Sequence, residues 1–167
     1  KSESSFKSFS AGQLKIEYQD GAVTSLVRSS EPVRSEGRTP LTGLVFQQVT
    51  EYLNGQRRAF DFPYILRGTA FQQKVWQALC AIPYGETRTY GEIAAAAGNP
   101  RAARAVGMAN HCNPILIAVP CHRVIGANGK LVGYGCGLDM KQALLQLEKR
   151  TLQAGPCQPL ESGPGRI

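Results

Sequence analysis

Alternation of apolar and polar residues predicts strands in the first part of the chain. It occurs over residues 14–18 and again over 23–27, and the Asp-Gly pair at 20–21 between them is typical of a tight hairpin turn. Apolar residues at helical spacing predict a helix over 42–54. Alternation returns over 60–66 and predicts an edge or irregular strand. The pattern therefore predicts a small α+β unit with an antiparallel sheet.

The second part of the chain begins its helices with capping signals. Capping boxes at 69–72 and 89–92 each precede an apolar stripe. Asn-Pro at 99–100 predicts a further helix, with Asn as cap, that continues to about Asn110. A continuous apolar run over 115–119 has the length of a strand and predicts a buried one.

A last helix is predicted from Asp139, its expected N-cap, to about Arg150. Its expected buried residues are Met140, Ala143, Leu144 and Leu147. The chain then becomes rich in Pro and Gly, which predicts a disordered tail. The predicted organisation is a structural domain (1–66), a mostly helical domain (67–152) and a tail (153–167).

Two short helices joined by a tight turn, over about 90–98 and 100–110, match a helix-turn-helix pattern. The second helix is basic at Arg101 and Arg104, and it is otherwise built from small residues. Small residues let a helix backbone lie close to a nucleic-acid groove or to a neighbouring helix. An ordinary helical hairpin is therefore the alternative interpretation of this segment.

Charge is concentrated in the helical part of the chain. The net charge is +7 over 167 residues. Residues 67–150 carry 10 basic and 4 acidic side chains, whereas 1–66 carry 8 and 7. This excess indicates an anionic partner such as nucleic acid, and improved solubility is the alternative explanation.

Composition excludes several classes of protein. Apolar residues make up 43% of the chain, enough for a buried core, which excludes disordered and fibrous proteins. No apolar run reaches the length of a membrane helix, and residues 1–13 lack a hydrophobic signal region. We therefore expect no membrane partner and no secretion.

The cysteines indicate reduced thiols, one of which has reactive neighbours. The chain has five Cys and two His but no Cys-x-x-Cys pair, which argues against a zinc site. Cys121 is followed by His122 and Arg123, and a base and a positive charge are what thiol activation requires. Neighbours on an extended backbone point to opposite sides, so His122 needs a turn or a bridging water. An inert buried cysteine is the alternative.

Pro-Cys-His-Arg-Val at 120–124 resembles the active-site motif of the O6-alkylguanine-DNA alkyltransferases, also called methylated-DNA–protein-cysteine methyltransferases. Other segments resemble this family in matching order and spacing, at 67–73, 82–87, 90–94, 103–107, 113–114, 133–134 and 144–148. The resemblance is strong over 67–150 and weak before it.

The resemblance implies a single-turnover DNA repair enzyme. Such a protein flips O6-alkylguanine, mainly O6-methylguanine, out of duplex DNA and transfers the alkyl group irreversibly to its own cysteine, here Cys121. The family pattern implies that His122 removes the thiol proton through a water and that Glu148 orients His122. It also implies that Tyr90 rotates the target phosphate and bonds the base, and that Arg104 fills the vacated stack.

The same resemblance implies the remaining site residues. Ala103, Gly107 and Arg101 flank Arg104 in the expected minor-groove interface. The expected substrate pocket contains Asn113, Val124, Tyr134, Gly135 and Cys136. Small residues at 135–137 suggest a roomy pocket. Asn113 is further expected to tie the helix-turn-helix to the active-site turn.

The implied fold is α+β, with a small, ribonuclease-H-like N-terminal α/β unit and a mostly helical C-terminal domain that contains the helix-turn-helix. Double-stranded DNA is the expected partner of a monomer, with no cofactor and no metal. A cytoplasmic location is expected, or a nuclear one in a eukaryote. The alternatives are a non-catalytic module that binds alkylated DNA and a cysteine hydrolase, for which the sequence specifies no oxyanion hole.

Overall fold

Helices and short strands form a mixed α+β fold in the computed structural model, which describes residues 3–9, 12–30, 37–130 and 137–154. In chain order the elements are β1 (Glu3–Phe9), β2 (Gly12–Gln19), β3 (Ala22–Arg28), α1 (Pro40–Leu53), α2 (Ala70–Cys80), β4 (Arg88–Thr89), α3 (Tyr90–Ala96), α4 (Ala103–His111), a 3₁₀ turn (Cys121–Arg123), β5 (Val124–Ile125) and α5 (Leu138–Gln153).

An antiparallel sheet of three strands in the order β1-β2-β3 begins the fold. The predicted hairpin is confirmed, because Gln19 pairs with Ala22 around a two-residue turn. Asp20 and Gly21 in that turn have φ angles of 53° and 81°, the left-handed conformation that such turns require. Strand β1 was not predicted, since its sequence shows no clear alternation of apolar and polar residues.

The open edge of β3 receives two later parts of the chain. The backbone of Val23 bonds to Pro63 and Ile65, which leaves only a bridge at Tyr64 where a strand over 60–66 was expected. Leu26 donates its N–H to Pro114 at 2.7 Å and accepts from Leu116 at 2.8 Å. The sheet therefore holds the segment that leads to the 3₁₀ turn.

The prediction of a buried strand over 115–119 is wrong. Ile115 forms one bridge to Leu26, and the chain then turns at Ile117, whose φ is 72°. A left-handed conformation is strained for a β-branched residue and persists only where the surroundings impose it. Ile117 is buried in the core, so burial was inferred correctly but strand geometry was not.

The capping signals located the helix starts well. Capping boxes at Thr69 and Thr89 begin α2 and α3, as predicted. Helix α4, however, begins at Ala103 rather than at Pro100. The side chain of Asn99 accepts from the N–H of Arg101 at 3.2 Å, which caps a turn before the helix.

Helix α5 continues to Gln153, past its predicted end near Arg150 and into the first residue of the expected tail, and it differs from its prediction in other details. Gly137 is the N-cap instead of Asp139, which lies in the first turn and pairs with Arg28 at 3.3 Å. Ala143 is exposed, whereas Lys141 occupies a buried position. The apolar stripe is rotated because the helix must direct charged side chains inward as well.

One hydrophobic core joins the two parts of the chain. It contains Ile16 from the sheet, Val45 from α1, Trp76 from α2 and Leu144 from α5. The Trp76 indole also donates to the carbonyl of Ala109 at 3.0 Å, which fastens α2 to α4. Among the described residues, no helix is both long and apolar enough to span a membrane.

Some predictions fall outside the described residues. These are the part of the tail after Ala154 and the pocket candidates Tyr134, Gly135 and Cys136.

We predict that Thr69→Ala lowers the free energy of unfolding by about 1 kcal/mol, because it removes the side chain that caps α2. Urea titration measures this loss. Thr69→Ser, which keeps the hydroxyl, is the matched control and should stay near wild type. Equal stability of the two variants would contradict a capping role.

Candidate active site

Cys121 is a buried thiol held in a turn. The 3₁₀ turn begins at Cys121, whose N–H donates to Val119 at 2.8 Å. Asn113 approaches from the end of α4, and its Nδ2 donates to the Cys121 Sγ at 3.2 Å and to the Val119 carbonyl at 2.8 Å. The Asn113 Oδ1 accepts from the N–H of Ile115 at 3.0 Å. The amide therefore fixes the sulfur relative to the strained segment before it.

Glu148 is the centre of a buried polar cluster and accepts five hydrogen bonds from described residues. Its Oε2 accepts from His122 Nε2 at 2.7 Å and from the Tyr52 hydroxyl at 2.5 Å. Arg123 donates to both oxygens at 2.9 Å, and the Gly85 N–H donates to Oε1 at 3.0 Å. We call these five residues the Glu148 cluster.

The cluster holds Glu148 as a carboxylate. Burial by itself raises the pKa of Glu148, but the hydrogen bonds and charges of His122 and Arg123 outweigh it and lower the pKa to about 2. Burial, reinforced by the carboxylate, raises the pKa of Tyr52 well above its usual value, so its hydroxyl remains a donor. The arrangement thus keeps one negative charge and one neutral phenol side by side.

His122 is held as a neutral base. Burial lowers the pKa of His122, against the opposing effect of Glu148. Because a carboxylate only accepts hydrogen bonds, Nε2 carries the imidazole proton and Nδ1 has the free lone pair. The Nδ1 atom is buried and has no hydrogen-bond partner within the described residues. His122 can therefore accept a proton at Nδ1 while Glu148 stabilises the resulting imidazolium.

Tyr90 and Lys141 lie beside the thiol. Burial raises the pKa of the Tyr90 hydroxyl, and the nearby Cys121 raises it further. The Lys141 Nζ lies 5.7 Å from the centre of the Tyr90 ring. Lys141 is fully buried, and this burial lowers its pKa to about 8, although Cys121 opposes the shift. A cation close to the sulfur favours a thiolate.

The expected DNA-contact residues are grouped on and before α4. Arg104 is exposed on the helix, and Arg101 is exposed in the turn that precedes it. Ala103 and Gly107 are half-buried, and a Cβ added at Gly107 would lie 3.9 Å from the Tyr90 ring. One face of α4 therefore lies against Tyr90, while its exposed face carries Arg104.

Val124, an expected pocket residue, is buried in β5, where it pairs with Arg88 of β4. This two-stranded parallel ladder joins the residue after the 3₁₀ turn to the start of α3. It therefore sets the position of Tyr90, the first residue of α3, relative to Cys121.

Sequence reasoning did not assign Tyr52 or Lys141 to the site, and it offered Arg123 as the positive charge that activates the thiol. Arg123 pairs with Glu148 and donates to the Ile82 carbonyl at 2.8 Å, so its charge is not free for the thiol. Lys141 is three residues before Leu144 and seven before Glu148, a helical spacing that could have found it. No pattern marks Tyr52, because its partner is distant in the chain.

No group of His, Cys, Asp and Glu within the described ranges could hold a metal ion.

Comparison with known proteins identifies the family. Residues 70–150 match the family model described as 6-O-methylguanine DNA methyltransferase, DNA binding domain. A methylated-DNA–protein-cysteine methyltransferase of Methanosarcina acetivorans is 52% identical over 143 residues, which cover 86% of this chain and 83% of the relative. This chain belongs to the methylated-DNA–protein-cysteine methyltransferase family.

Other members of this family are similar to the chain over most of its length. A methylated-DNA–protein-cysteine methyltransferase of Mycolicibacterium paratuberculosis is 52% identical over 83% of this chain and 87% of its own length. The crystal structure of Mycobacterium tuberculosis O6-methylguanine methyltransferase matches with a TM-score of 0.84 and 43% identity, over 95% of this chain and 97% of that one. The Mycobacterium tuberculosis OGT structure in complex with DNA matches with a TM-score of 0.81 and 47% identity, over 89% and 94%.

We predict that Glu148→Gln lowers the free energy of unfolding at neutral pH by about 3–5 kcal/mol, because it leaves the Arg123 guanidinium buried without its carboxylate. The folded pKa of Glu148 lies below its unfolded value, so its contribution is full above about pH 4.5 and is lost as the pH falls towards 2. Urea titrations between pH 7 and pH 2.5 should therefore show the difference between the two proteins shrinking with falling pH.

The control for this prediction is Glu86→Gln, which removes an exposed partner of Arg88. It should change stability by no more than about 0.5 kcal/mol at any pH, as expected of a surface ion pair. A loss in Glu148→Gln that does not depend on pH would show that the carboxylate charge is not what stabilises the cluster.

Proposed function

We propose that this chain repairs DNA by moving the alkyl group of O6-alkylguanine, chiefly O6-methylguanine, onto the sulfur of Cys121. The observation that carries this assignment is a buried thiol whose sulfur accepts a hydrogen bond from the Asn113 amide. The neutral His122 is the next residue, and its Nδ1 has no hydrogen-bond partner among the described residues. Family membership agrees with a cysteine acceptor and a DNA substrate. A non-catalytic DNA-binding module would have no need of this arrangement.

The transfer is a single displacement. The Cys121 proton moves to His122 Nδ1 through a water, and the resulting imidazolium is stabilised by Glu148, which bonds Nε2. The thiolate attacks the alkyl carbon, the S–C bond forms as the C–O6 bond breaks, and the electron pair remains on guanine. Guanine then takes up, through water, the proton that the His122 imidazolium releases. The scheme uses no cofactor. A thioether has no easy leaving path, so each protein molecule repairs one base.

Lys141 and Tyr90 assist at opposite ends of the displacement. The buried ammonium of Lys141 favours negative charge on Cys121, the atom that attacks. Tyr90 retains its phenolic proton, because burial raises its pKa, and can donate a hydrogen bond to the departing base. Negative charge is thus stabilised by Lys141 while it is on the sulfur and by Tyr90 when it develops on guanine.

Helices α3 and α4 serve as a helix-turn-helix in this proposal, with α4 in the minor groove. Arg104 is exposed on α4 and has the planar guanidinium suited to fill the space of an extruded base. Ala103 and Gly107 allow close approach, and Arg101 is free to contact phosphate. The net charge of +7 supports an anionic partner. The protein acts as a monomer in this scheme.

We further infer the division into an N-terminal structural domain (1–66) and a C-terminal DNA-binding and alkyl-acceptor domain (67–152). The antiparallel β1-β2-β3 sheet followed by α1, with parallel bridges added at the edge of β3, supports a ribonuclease-H-like N-terminal unit. Its task is to support the site, both through Leu26 beneath the 114–116 segment and through Tyr52.

We predict that incubation with duplex DNA containing O6-methylguanine adds one methyl group to the peptide that contains Cys121, as measured by mass analysis after digestion. The gain should saturate at one equivalent of protein per lesion. Cys121→Ser should bind the same DNA without gaining mass. Retained binding by the wild type without any methyl transfer would favour the non-catalytic module, and repeated turnovers would contradict the displacement mechanism.

We predict that Arg104→Ala slows repair of duplex DNA more than it slows the reaction with free O6-benzylguanine, because Arg104 is exposed and acts on the duplex alone. The measurement is the ratio of the two second-order rate constants. Arg57→Ala, which alters an arginine paired with Glu51 on the N-terminal unit, is the control and should leave the ratio unchanged. Equal slowing of both reactions by Arg104→Ala would argue against base extrusion by this residue.

A further inference from the structure

Asn110 is a buried amide without a partner. It lies in the last turn of α4 and is 5% exposed, and among the described residues neither its Oδ1 nor its Nδ2 has a hydrogen-bond partner. A buried amide left unpaired destabilises a protein, so such groups are rare and require an explanation. None of the contacts that define the Glu148 cluster or hold Cys121 involves this side chain.

The position of Asn110 on α4 directs it to the active site. It follows Gly107 by three residues on α4, and residues at that spacing share a helix face. Gly107 faces the Tyr90 ring, since a Cβ there would lie 3.9 Å from it. Asn113 reaches the Cys121 Sγ at 3.2 Å, and its own N–H bonds the Asn110 carbonyl at 3.1 Å. Asn110 therefore lies on the face of α4 that Gly107 turns towards Tyr90, and its backbone is joined to the residue that contacts the thiol.

The other buried residues of α4 cannot satisfy this amide. Val106 and Ala109 are apolar, and the Ala109 carbonyl is already occupied by the Trp76 indole at 3.0 Å.

We propose that Asn110 is a substrate-binding residue whose Nδ2 donates a hydrogen bond to a ring nitrogen of the extrahelical O6-alkylguanine. This inference rests on the proposed function and names a specificity contact within it. Alkylation at O6 leaves the guanine ring without its N1 proton, so N1, N3 and N7 are all acceptors. A neutral amide donor matches such a ring at any pH, and the unpaired state of Asn110 is that of the protein without its base.

A substrate-binding role and a structural role for Asn110 predict opposite effects on the stability of the free protein. A polar group that finds its partner only in the substrate lowers the stability of the free protein, and a well-packed apolar replacement does not. Asn110→Leu, which is similar in size, should therefore retain or raise the melting temperature while it impairs transfer. If Asn110 held the fold together, the same variant would melt at a lower temperature.

The first experiment compares wild type, Asn110→Leu and Met108→Leu. Met108 is 65% exposed on the same helix, so Met108→Leu is the control for the reaction with free O6-benzylguanine and should react at the wild-type rate. Asn110→Leu should react roughly ten- to a hundredfold more slowly with free O6-benzylguanine and with duplex O6-methylguanine, as expected for one lost hydrogen bond to a buried partner. Alkylation of Cys121 by iodoacetamide, which presents no base, should stay at the wild-type rate. Wild-type transfer rates in Asn110→Leu would overturn the inference.

The second experiment identifies the accepting atom. O6-benzylguanine analogues that lack one ring nitrogen, the 1-deaza, 3-deaza and 7-deaza compounds, are reacted with wild type and Asn110→Leu. With the analogue that lacks the ring nitrogen to which Asn110 donates, wild type and Asn110→Leu should react at equal rates. An unchanged ratio for all three analogues would overturn the proposed contact while leaving alkyl transfer intact. Absence of transfer by wild type itself would instead overturn the proposed function, and with it this inference.

Discussion

The ionised Glu148 carboxylate is the constraint on which the rest of the site depends. A buried carboxylate is tolerated only when it is paired and fully hydrogen-bonded. Glu148, on α5, meets this condition through five hydrogen bonds from described residues that belong to three other parts of the chain: α1, the loop after α2 and the 3₁₀ turn. Removing any of them leaves the buried carboxylate with fewer donors, which costs free energy, so the cluster specifies how these parts meet.

This constraint also sets the chemistry. Because Glu148 occupies Nε2 of His122, the free lone pair of the imidazole is at Nδ1, and burial keeps the ring neutral. Arg123 compensates the carboxylate, so the positive charge beside the thiol comes from Lys141 instead. The two cations next to the reactive turn therefore have distinct tasks, one in holding the base and one in favouring thiolate. Asn110 on α4 adds a buried amide without a partner among the described residues, and this is the group that we assign to the substrate.

Local signals predicted much of the fold. The Asp-Gly turn and the capping boxes at Thr69 and Thr89 depend on contacts within a few residues, and the structure agrees with them. The prediction for 115–119 was wrong because an apolar run reports burial, not backbone shape, and here Ile117 turns instead of extending. The start of α4 was also misplaced, since Asn99 caps a turn that sequence pattern does not distinguish from a first helical turn.

By itself the sequence determined the family motif and most of the helices, because these follow from residue types at short spacings, and the resemblance that the motif carries named Cys121, His122 and Glu148 as candidates. Only the tertiary structure decided that Tyr52, from the N-terminal unit, donates to Glu148, and that Arg123 faces the carboxylate rather than the thiol. It also decided that Asn110 is buried without a partner. Such contacts join residues far apart in the chain, and the free energy of pairing a buried charge, which selects them, has no local signature.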